Sequence, residues 1–307
     1  MRFKHVCKYG QIMLNNLTIH PNKANIISIM PNNSQSFTQN SLNLFFERNP
    51  VFTLGELDVF LTTHRTGNPN TRNALLSYYK NQGRVLSIQR GLFATIPRLC
   101  IGSHYQVDPF LLASKLAPDT IISHHTALEM LGKAYSMTSR ITYTSSLKSV
   151  QFSFQGIAYQ RVGVPPKLSE NQSSSVGTIT VNRQGLCVTV TGLERTMIDV
   201  LARPDISGSW EEIWRSLESI EFFDLDLVAK YLFLLDNNTT FSKVGFYLEQ
   251  HKDALMVDEA FLQKLEKQKP KSPHYSERGN RKDCTLQKRW NLMIPKALIE
   301  QSWGDVV

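Results

Sequence analysis

The sequence predicts an α+β chain. An N-terminal winged helix-turn-helix domain is expected over 41–98, followed by a larger mixed α/β domain over 99–307 with a helical C-terminal part. Three observations carry this prediction. Helix-start signals recur at short spacing before residue 82. A glycine-bearing hairpin pattern follows them directly over 84–96. After Arg98 the pattern changes to alternating strands and then to apolar stripes at helical spacing.

Residues 1–40 are rich in Asn, Ser and Gln, and Ile26, Ile27, Ile29 and Met30 form their only apolar knot. Such a segment has little to bury, so a poorly ordered leader is expected. Ser41 is placed to cap a short helix carrying Leu42, Leu44, Phe45 and Phe46, and Asn49-Pro50 ends it. Thr53 and Glu56 have the spacing of a capping box, in which each side chain satisfies a backbone N–H of the other. The second helix then presents Leu54, Leu57, Val59, Phe60 and Leu61, and Arg65-Thr-Gly67 breaks it.

Asn68 is a natural N-cap and Pro69 suits the first helical position. The third helix is expected to run to about Gln82, with Gly83 supplying a left-handed turn after it. Leu75, Leu76 and Tyr79 share its core-facing side. Asn70, Thr71, Arg72 and Asn73 fill its first turn, and these side chains hydrogen-bond base edges and phosphates when a helix N-terminus enters a major groove. They are also common helix-start residues, so the turn alone decides nothing. The hairpin adds to it. Leu86 and Ile88 alternate with polar neighbours, Gln89-Arg90-Gly91 turns the chain, and Leu92, Ala94 and Ile96 alternate back. Arg90 then sits at the tip, where it could reach a phosphate or a narrow minor groove. On this reading Asn70, Thr71, Arg72 and Asn73 contact base edges, while Lys80, Arg84 and Arg90 hold phosphates.

In the body, Asp108-Pro109 starts a helix, and Ser123 is expected to cap another that ends at Gly132. His124 and His125 invite a metal reading. Adjacent helical residues point to different faces, so one is expected to hydrogen-bond within the fold and one to be exposed, with no metal. Strands are expected around Ile141 to Tyr159, with a Gln155-Gly156 turn, and a second hairpin over 178–190 turns through Asn182 to Gly185. Thr191 and Glu194 suggest another capping box, and Leu193, Met197, Val200 and Leu201 form the buried stripe of the helix it opens. Arg195 and Asp199 on that helix read as an ordinary surface or half-buried ion pair. Ser209 and Glu212 suggest a third capping box. Trp210, Ile213, Trp214, Leu217 and Ile220 then recur at helical spacing and read as core, and Asp224 starts a further helix.

The chain has 307 residues, 41% hydrophobic and 20% charged, so it can hold one large or two ordinary domains with a substantial core. Its net charge of +8 suits a polyanionic partner. Much of the excess lies between 264 and 296, and Lys282, Lys288 and Arg289 form a candidate second basic surface for DNA, RNA or an acidic partner. Cys7, Cys100, Cys187 and Cys284 are far apart and form no C-x-x-C pair, which excludes a zinc ribbon and suits a reducing cytoplasm. No apolar run reaches the roughly 20 residues that span a bilayer, and no signal peptide is evident. No P-loop, no G-x-S-x-G and no clustered acidic pair with a nearby lysine is present, so neither a cofactor nor an enzyme is expected.

Over roughly 50–300 the chain resembles the AbiEi-type antitoxins of type IV toxin–antitoxin systems. The resemblance rests on the Gly83 to Ala94 hairpin with its Arg90-Gly-Leu-Phe93, on Ser123-His124 leading to Leu131-Gly132, and on the Thr-x-x-Glu-Arg-Thr-x-x-Asp pattern of Thr191 to Asp199. Lys243-Val-Gly-Phe-Tyr-Leu-Glu249 and Lys288-Arg-Trp-Asn-Leu292 complete it. It implies a winged-helix domain that represses its own operon by binding double-stranded promoter DNA at repeated or inverted sites. It also implies a body that counters a nucleotidyltransferase-like toxin, direct binding to the toxin not being required. The leader before residue 41 has no counterpart in the family pattern, and Ser87 stands where a basic wing residue is expected. Two other functions fit the residues: a winged-helix regulator or protein-interaction module with no antitoxin role, and a nucleic-acid-processing enzyme.

Overall fold

The computed structural model describes residues 33–64, 68–148, 151–277 and 283–300, with side chains from residue 41 onward. The chain is mixed α/β and holds several sheets. Its first described element is α1 (Asn33–Arg48), followed by β1 (Val51–Thr53), α2 (Leu54–Thr63), α3 (Pro69–Asn81), β2 (Val85–Gln89) and β3 (Leu92–Thr95). Ser41 is therefore inside α1 and not at its start. The helix extends back over residues assigned from sequence to a leader, and the rest of that leader, 1–32, lies outside the described residues.

Thr53 and Glu56 form both halves of the expected capping box, with the Thr53 N–H donating to Glu56 Oε2 at 2.8 Å and the Glu56 N–H donating to Thr53 Oγ1 at 3.2 Å. Asn68 caps α3 through the Asn70 N–H, Pro69 is its first residue, and Gly83 follows it at φ +68°. The break at 65–67 lies outside the described residues. The three strands make an antiparallel sheet in the order β1-β3-β2. One face packs with α1, α2 and α3 through Phe45, Phe46, Phe52, Leu57, Leu76 and Phe93. The other, through Val51, Leu92 and Ala94, is shared with a second core that includes Phe110, Leu111, Ile122 and Tyr143.

That second core belongs to a six-stranded sheet. Its strands are β4 (Ile121–Ile122), β5 (Arg140–Ser145), β6 (Phe152–Phe154), β7 (Ile157–Gly163), β8 (Thr178–Arg183) and β9 (Leu186–Thr191), in the order β6-β7-β5-β4-β9-β8. The β5/β7 and β4/β9 pairs are parallel and the rest antiparallel. Helices α4 (Pro109–Ser114), α5 (His125–Met130) and α6 (Pro166–Glu170) lie between the strands in sequence. After the sheet come α7 (Leu193–Ala202), α8 (Pro204–Ser207), α9 (Trp210–Glu218), α10 (Leu225–Leu235), α11 (Asn238–Gln250) and α12 (Glu259–Glu266). Their shared core holds Met197, Val200, Trp214, Leu217, Tyr231 and Tyr247. A small sheet of β10 (His274–Tyr275), β11 (Cys284–Gln287) and β12 (Leu292–Pro295) precedes α13 (Lys296–Glu300).

Several local expectations are corrected. Residue 124, not Ser123, is the N-cap of α5, and it makes no side-chain cap. Both His124 and His125 are buried, so neither is the exposed partner expected. No group of three or more potential metal-ligating side chains occurs among the described residues. The box at Thr191 does not form: Gly192 is the N-cap of α7, and Glu194 instead accepts from the Asp224 N–H at 3.2 Å. Ser209 does cap α9, but the Glu212 carboxylate turns away to His125 and Ser136. The Arg195–Asp199 pair is buried rather than superficial, with side-chain exposures of 1% and 9%.

Candidate nucleic-acid interface

Helix α3 is amphipathic in an informative way. Leu76 and Tyr79 are buried, with Tyr79 edge-on to Phe46 at 4.8 Å between ring centroids. The opposite side exposes Asn70, Thr71, Asn73, Ala74, Ser77 and Tyr78. Except for Ala74 these are uncharged hydrogen-bonding residues, and positions 70, 74, 77, 78 and 81 follow the three-to-four spacing of one helix face. Ser77 was not picked out from sequence, although it lies two turns from Asn70 on this face.

Arg72 does not join that face. Its Nη1 donates to both oxygens of Asp58 on α2, at 2.8 and 3.0 Å, and only 17% of its side chain is exposed. Its Nε and Nη2 donate to Asn73 Oδ1, both at 3.2 Å. The Asn73 carbonyl oxygen is thereby occupied, whereas a bidentate adenine contact needs both ends of the amide. Asn70, Thr71, Ser77 and Tyr78 are left as exposed hydrogen-bonding groups of this face. In this structure Arg72 ties α3 to α2.

Arg84 is also corrected. It is 5% exposed, and its Nη1 donates to Ile96 O at 2.7 Å across the end of the hairpin. Burial, and then the like charge of Arg98, pulls its pKa below the ordinary arginine value. A guanidinium enclosed in this way cannot hold a phosphate. Lys80 and Arg90 are exposed as expected. The Lys80 ammonium lies 4.8 Å from the Phe93 ring centroid, and Arg98 is a further exposed cation just past the sheet.

The hairpin turns through Arg90 and Gly91, the latter at φ +78°, a backbone region that glycine enters without steric cost. Its tip is not free-standing, because the Leu54 N–H donates to Gly91 O at 2.7 Å. The Arg90 side chain is thus displayed from a turn pinned to the start of α2. Sequence reasoning did not find β1, whose three residues carry no periodicity, yet this strand makes the hairpin a three-stranded sheet.

One cation of the proposed second basic surface, Arg289, is neutralised. Arg289 pairs with Glu249 at 2.7 Å, Glu259 at 2.5 Å and Glu266 at 3.0 Å. Burial works against its charge, but the hydrogen bonds it donates to Glu259 and Glu249 outweigh this and raise its pKa well above the ordinary value. Lys288 is exposed, and Lys282 lies outside the described residues. No described helix is long and apolar enough to cross a membrane.

No protein-family model matches the chain, and no curated protein sequence matches it. Among solved structures it is similar to the Rv2827c protein from Mycobacterium tuberculosis, with a TM-score of 0.53 and 16% identity, covering 85% of this chain and 93% of that one. At this identity the likeness concerns the fold alone.

Proposed function

We propose that residues 41–98 are a winged-helix domain that reads double-stranded DNA, with α3 as its recognition helix. The observation that carries this reading is the exposed, uncharged hydrogen-bonding stripe of Asn70, Thr71 and Ser77, with Lys80 exposed on the same helix and Arg90 exposed at the hairpin turn. Uncharged donors and acceptors read base edges, while exposed cations supply the sequence-independent attraction to phosphate. We further propose that the chain acts as an antitoxin rather than an enzyme. On this reading it represses its own operon and counters a nucleotidyltransferase-like toxin through residues beyond 99. The order of motifs along the chain supports this role, and so does the packing together of two of them, Lys243–Glu249 and Lys288–Leu292.

Fluorescence anisotropy with the chain's own upstream promoter tests the DNA reading. Saturable binding that weakens steeply with salt is expected. Equal affinity for promoter and scrambled duplex would remove the assignment of α3 as a reading helix. Co-expression with the toxin encoded beside it tests the antitoxin role, and growth unrescued by the intact chain would refute it.

Exposed Val59 on α2 and Tyr78 on α3, at 70% and 48%, favour a second reading, in which this face docks a protein. A stoichiometric partner with no salt-dependent DNA affinity would establish it.

A further inference from the structure

In the body, a cavity of about 940 Å³ opens among the turn between β4 and α5, helices α7, α10 and α11, and the segment 273–277. Its volume falls in the range of small-molecule sites. Its wall is polar and buried: His124, Arg195, Asp199, Thr240, Lys243 and Ser276 all line it, and each is at most 8% exposed. Burying such groups costs free energy unless partners satisfy them.

Some are satisfied from within. Asp199 accepts from Tyr231 Oη at 2.9 Å and from Arg195 Nε at 3.4 Å, while Arg195 Nη1 donates to the carbonyls of Ser174 and Val176. Lys243 Nζ donates to Ala202 O at 3.1 Å. One group is not. Ser276 Oγ is buried with no hydrogen-bond partner among the described residues. His124, which also lines the cavity, is fixed through Nδ1 to Ser123 Oγ at 3.0 Å. His124 also has φ 57° and ψ −141°, a backbone region that only glycine adopts readily. Holding a side chain there costs about 1–3 kcal/mol, and such residues cluster at ligand sites.

The donors of the wall select the ligand. Around the buried wall, Arg195 and Lys243 stand against Asp199, and burial holds His124 towards its neutral form. The rim carries Lys167 and Arg203 against Asp205, Asp236 and Glu277, so the formal charges of the whole lining cancel and only the wall keeps one positive charge in excess. Asn237, Thr239 and Thr240, at the start of the 13-residue α11, also line the cavity. Asn237 Oδ1 caps the Thr240 N–H at 3.1 Å, which leaves the earlier N–H groups of this helix start and its positive dipole end to face the cavity. Both guanidinium forks are engaged, Arg195 internally and Arg203 with Asp205, so a planar carboxylate finds no free fork. A lysine, hydroxyls and a helix start suit a tetrahedral oxyanion.

We propose that this cavity binds a small phosphorylated molecule, its phosphate seated between the first turn of α11, Lys243 and Ser276 and its remaining polar part facing His124. The site stands apart from the proposed DNA-reading face, and its test uses no DNA.

Isothermal titration calorimetry of the full chain with inorganic phosphate, ribose 5-phosphate and adenosine 5′-monophosphate is expected to show saturable binding. The tightest of the three separates free phosphate from a phosphomonoester as the source. Ser276→Ala and Thr239→Val are each expected to weaken it about tenfold, the loss of one hydrogen bond to a charged group. Circular dichroism checks that each variant is folded. Thr239 is partly exposed, and its hydroxyl, 3.0 Å from His274 Nδ1, can accept from that ring and still donate to a phosphate, so its variant carries the test if Ser276→Ala does not fold. The proposal is overturned if the folded wild type binds none of the three at about 10 mM, a concentration that detects even millimolar affinity. Unchanged binding in the folded variants, or a preference for citrate over every phosphate, would overturn it equally.

Discussion

The Trp290 ring lies directly over the Cα of Gly245. A Cβ built on Gly245 would stand 2.2 Å from Trp290 Cζ3, far inside any tolerated contact. The indole is fully buried, and its Nε1 donates to Glu249 Oε2 at 2.6 Å, one turn further along α11. Helix α11 thus gives Trp290 both a flat place to pack and an acceptor for its N–H. Gly245 is inside a helix, where glycine is unfavourable relative to alanine by about 1 kcal/mol. Close packing explains why it is nevertheless there. Gly245→Ala is therefore expected to destabilise the chain, despite better helix propensity, by the roughly 1–3 kcal/mol typical of overpacked cores. Urea unfolding followed by tryptophan fluorescence measures this, and a gain in stability would show that the ring can move aside.

Arg84 gives a prediction that separates structure from DNA contact. Its enclosed guanidinium joins the residue before β2 to the Ile96 carbonyl, closing the base of the hairpin. Arg84→Met should lower stability by about 1 kcal/mol, since it removes the donor from the part-buried Ile96 carbonyl. The salt dependence of DNA binding by the folded variant should not change. A slope shallower by about one would instead mark Arg84 as a phosphate contact.

Arg72 and Asn70, two residues apart on α3, should behave in opposite ways. The Asp58 carboxylate that Arg72 engages is 44% exposed, so this pair is worth less than about 1 kcal/mol after solvent screening. Arg72→Ala should leave sequence preference intact. The double variant Asn70→Ala, Thr71→Ala should relax it, at about 1–3 kcal/mol for each side chain that no longer reaches a base edge. Binding measured on single-base operator variants distinguishes the two patterns. If Arg72→Ala alone relaxes preference, the Arg72–Asp58 pair opens on DNA.

What could be read from the sequence was local chemistry. The hairpins turn at Arg90-Gly91, Gln155-Gly156 and Gln184-Gly185, where each glycine has positive φ and Gln155 and Gln184 adopt it as well. Asn68, Asp108 and Asp224 cap their helices because the acceptor and the N–H are two or three residues apart. Pairings set by the folded chain were not legible. Asp58 meets Arg72 from another helix, and Arg289 gathers glutamates from positions 249, 259 and 266. The Thr191-to-Glu194 spacing misled because Glu194 finds the Asp224 N–H, while the Thr191 hydroxyl pairs with Thr196 at 2.6 Å. The cavity was hidden for the same reason: His124, Asp199, Lys243 and Ser276 come from four separate segments.

The final prediction concerns pH. His125 Nε2 lies 2.8 Å from Glu212 Oε1, and its Nδ1 lies 3.0 Å from Glu129 Oε1, the latter off the N–H direction and so a Coulombic contact. Burial alone would lower the pKa of His125, but Glu129 and Glu212 outweigh it and raise it. A raised histidine stabilises the fold fully below its unfolded pKa of about 6.5, and that contribution is lost as pH climbs through the folded value. The Glu212 pKa is lowered: burial opposes its charge, but Ser136 and His125 overcome this. Its contribution is present above the ordinary carboxylate value and is lost on acidification. Stability should therefore be greatest between the two limits and decline on the alkaline side from above about pH 6.5. His125→Gln can keep a hydrogen bond to Glu212 but cannot carry charge. It should flatten the alkaline decline in a pH series of denaturant midpoints while leaving the fold intact. An alkaline limb equally steep in the variant would place its origin in another group.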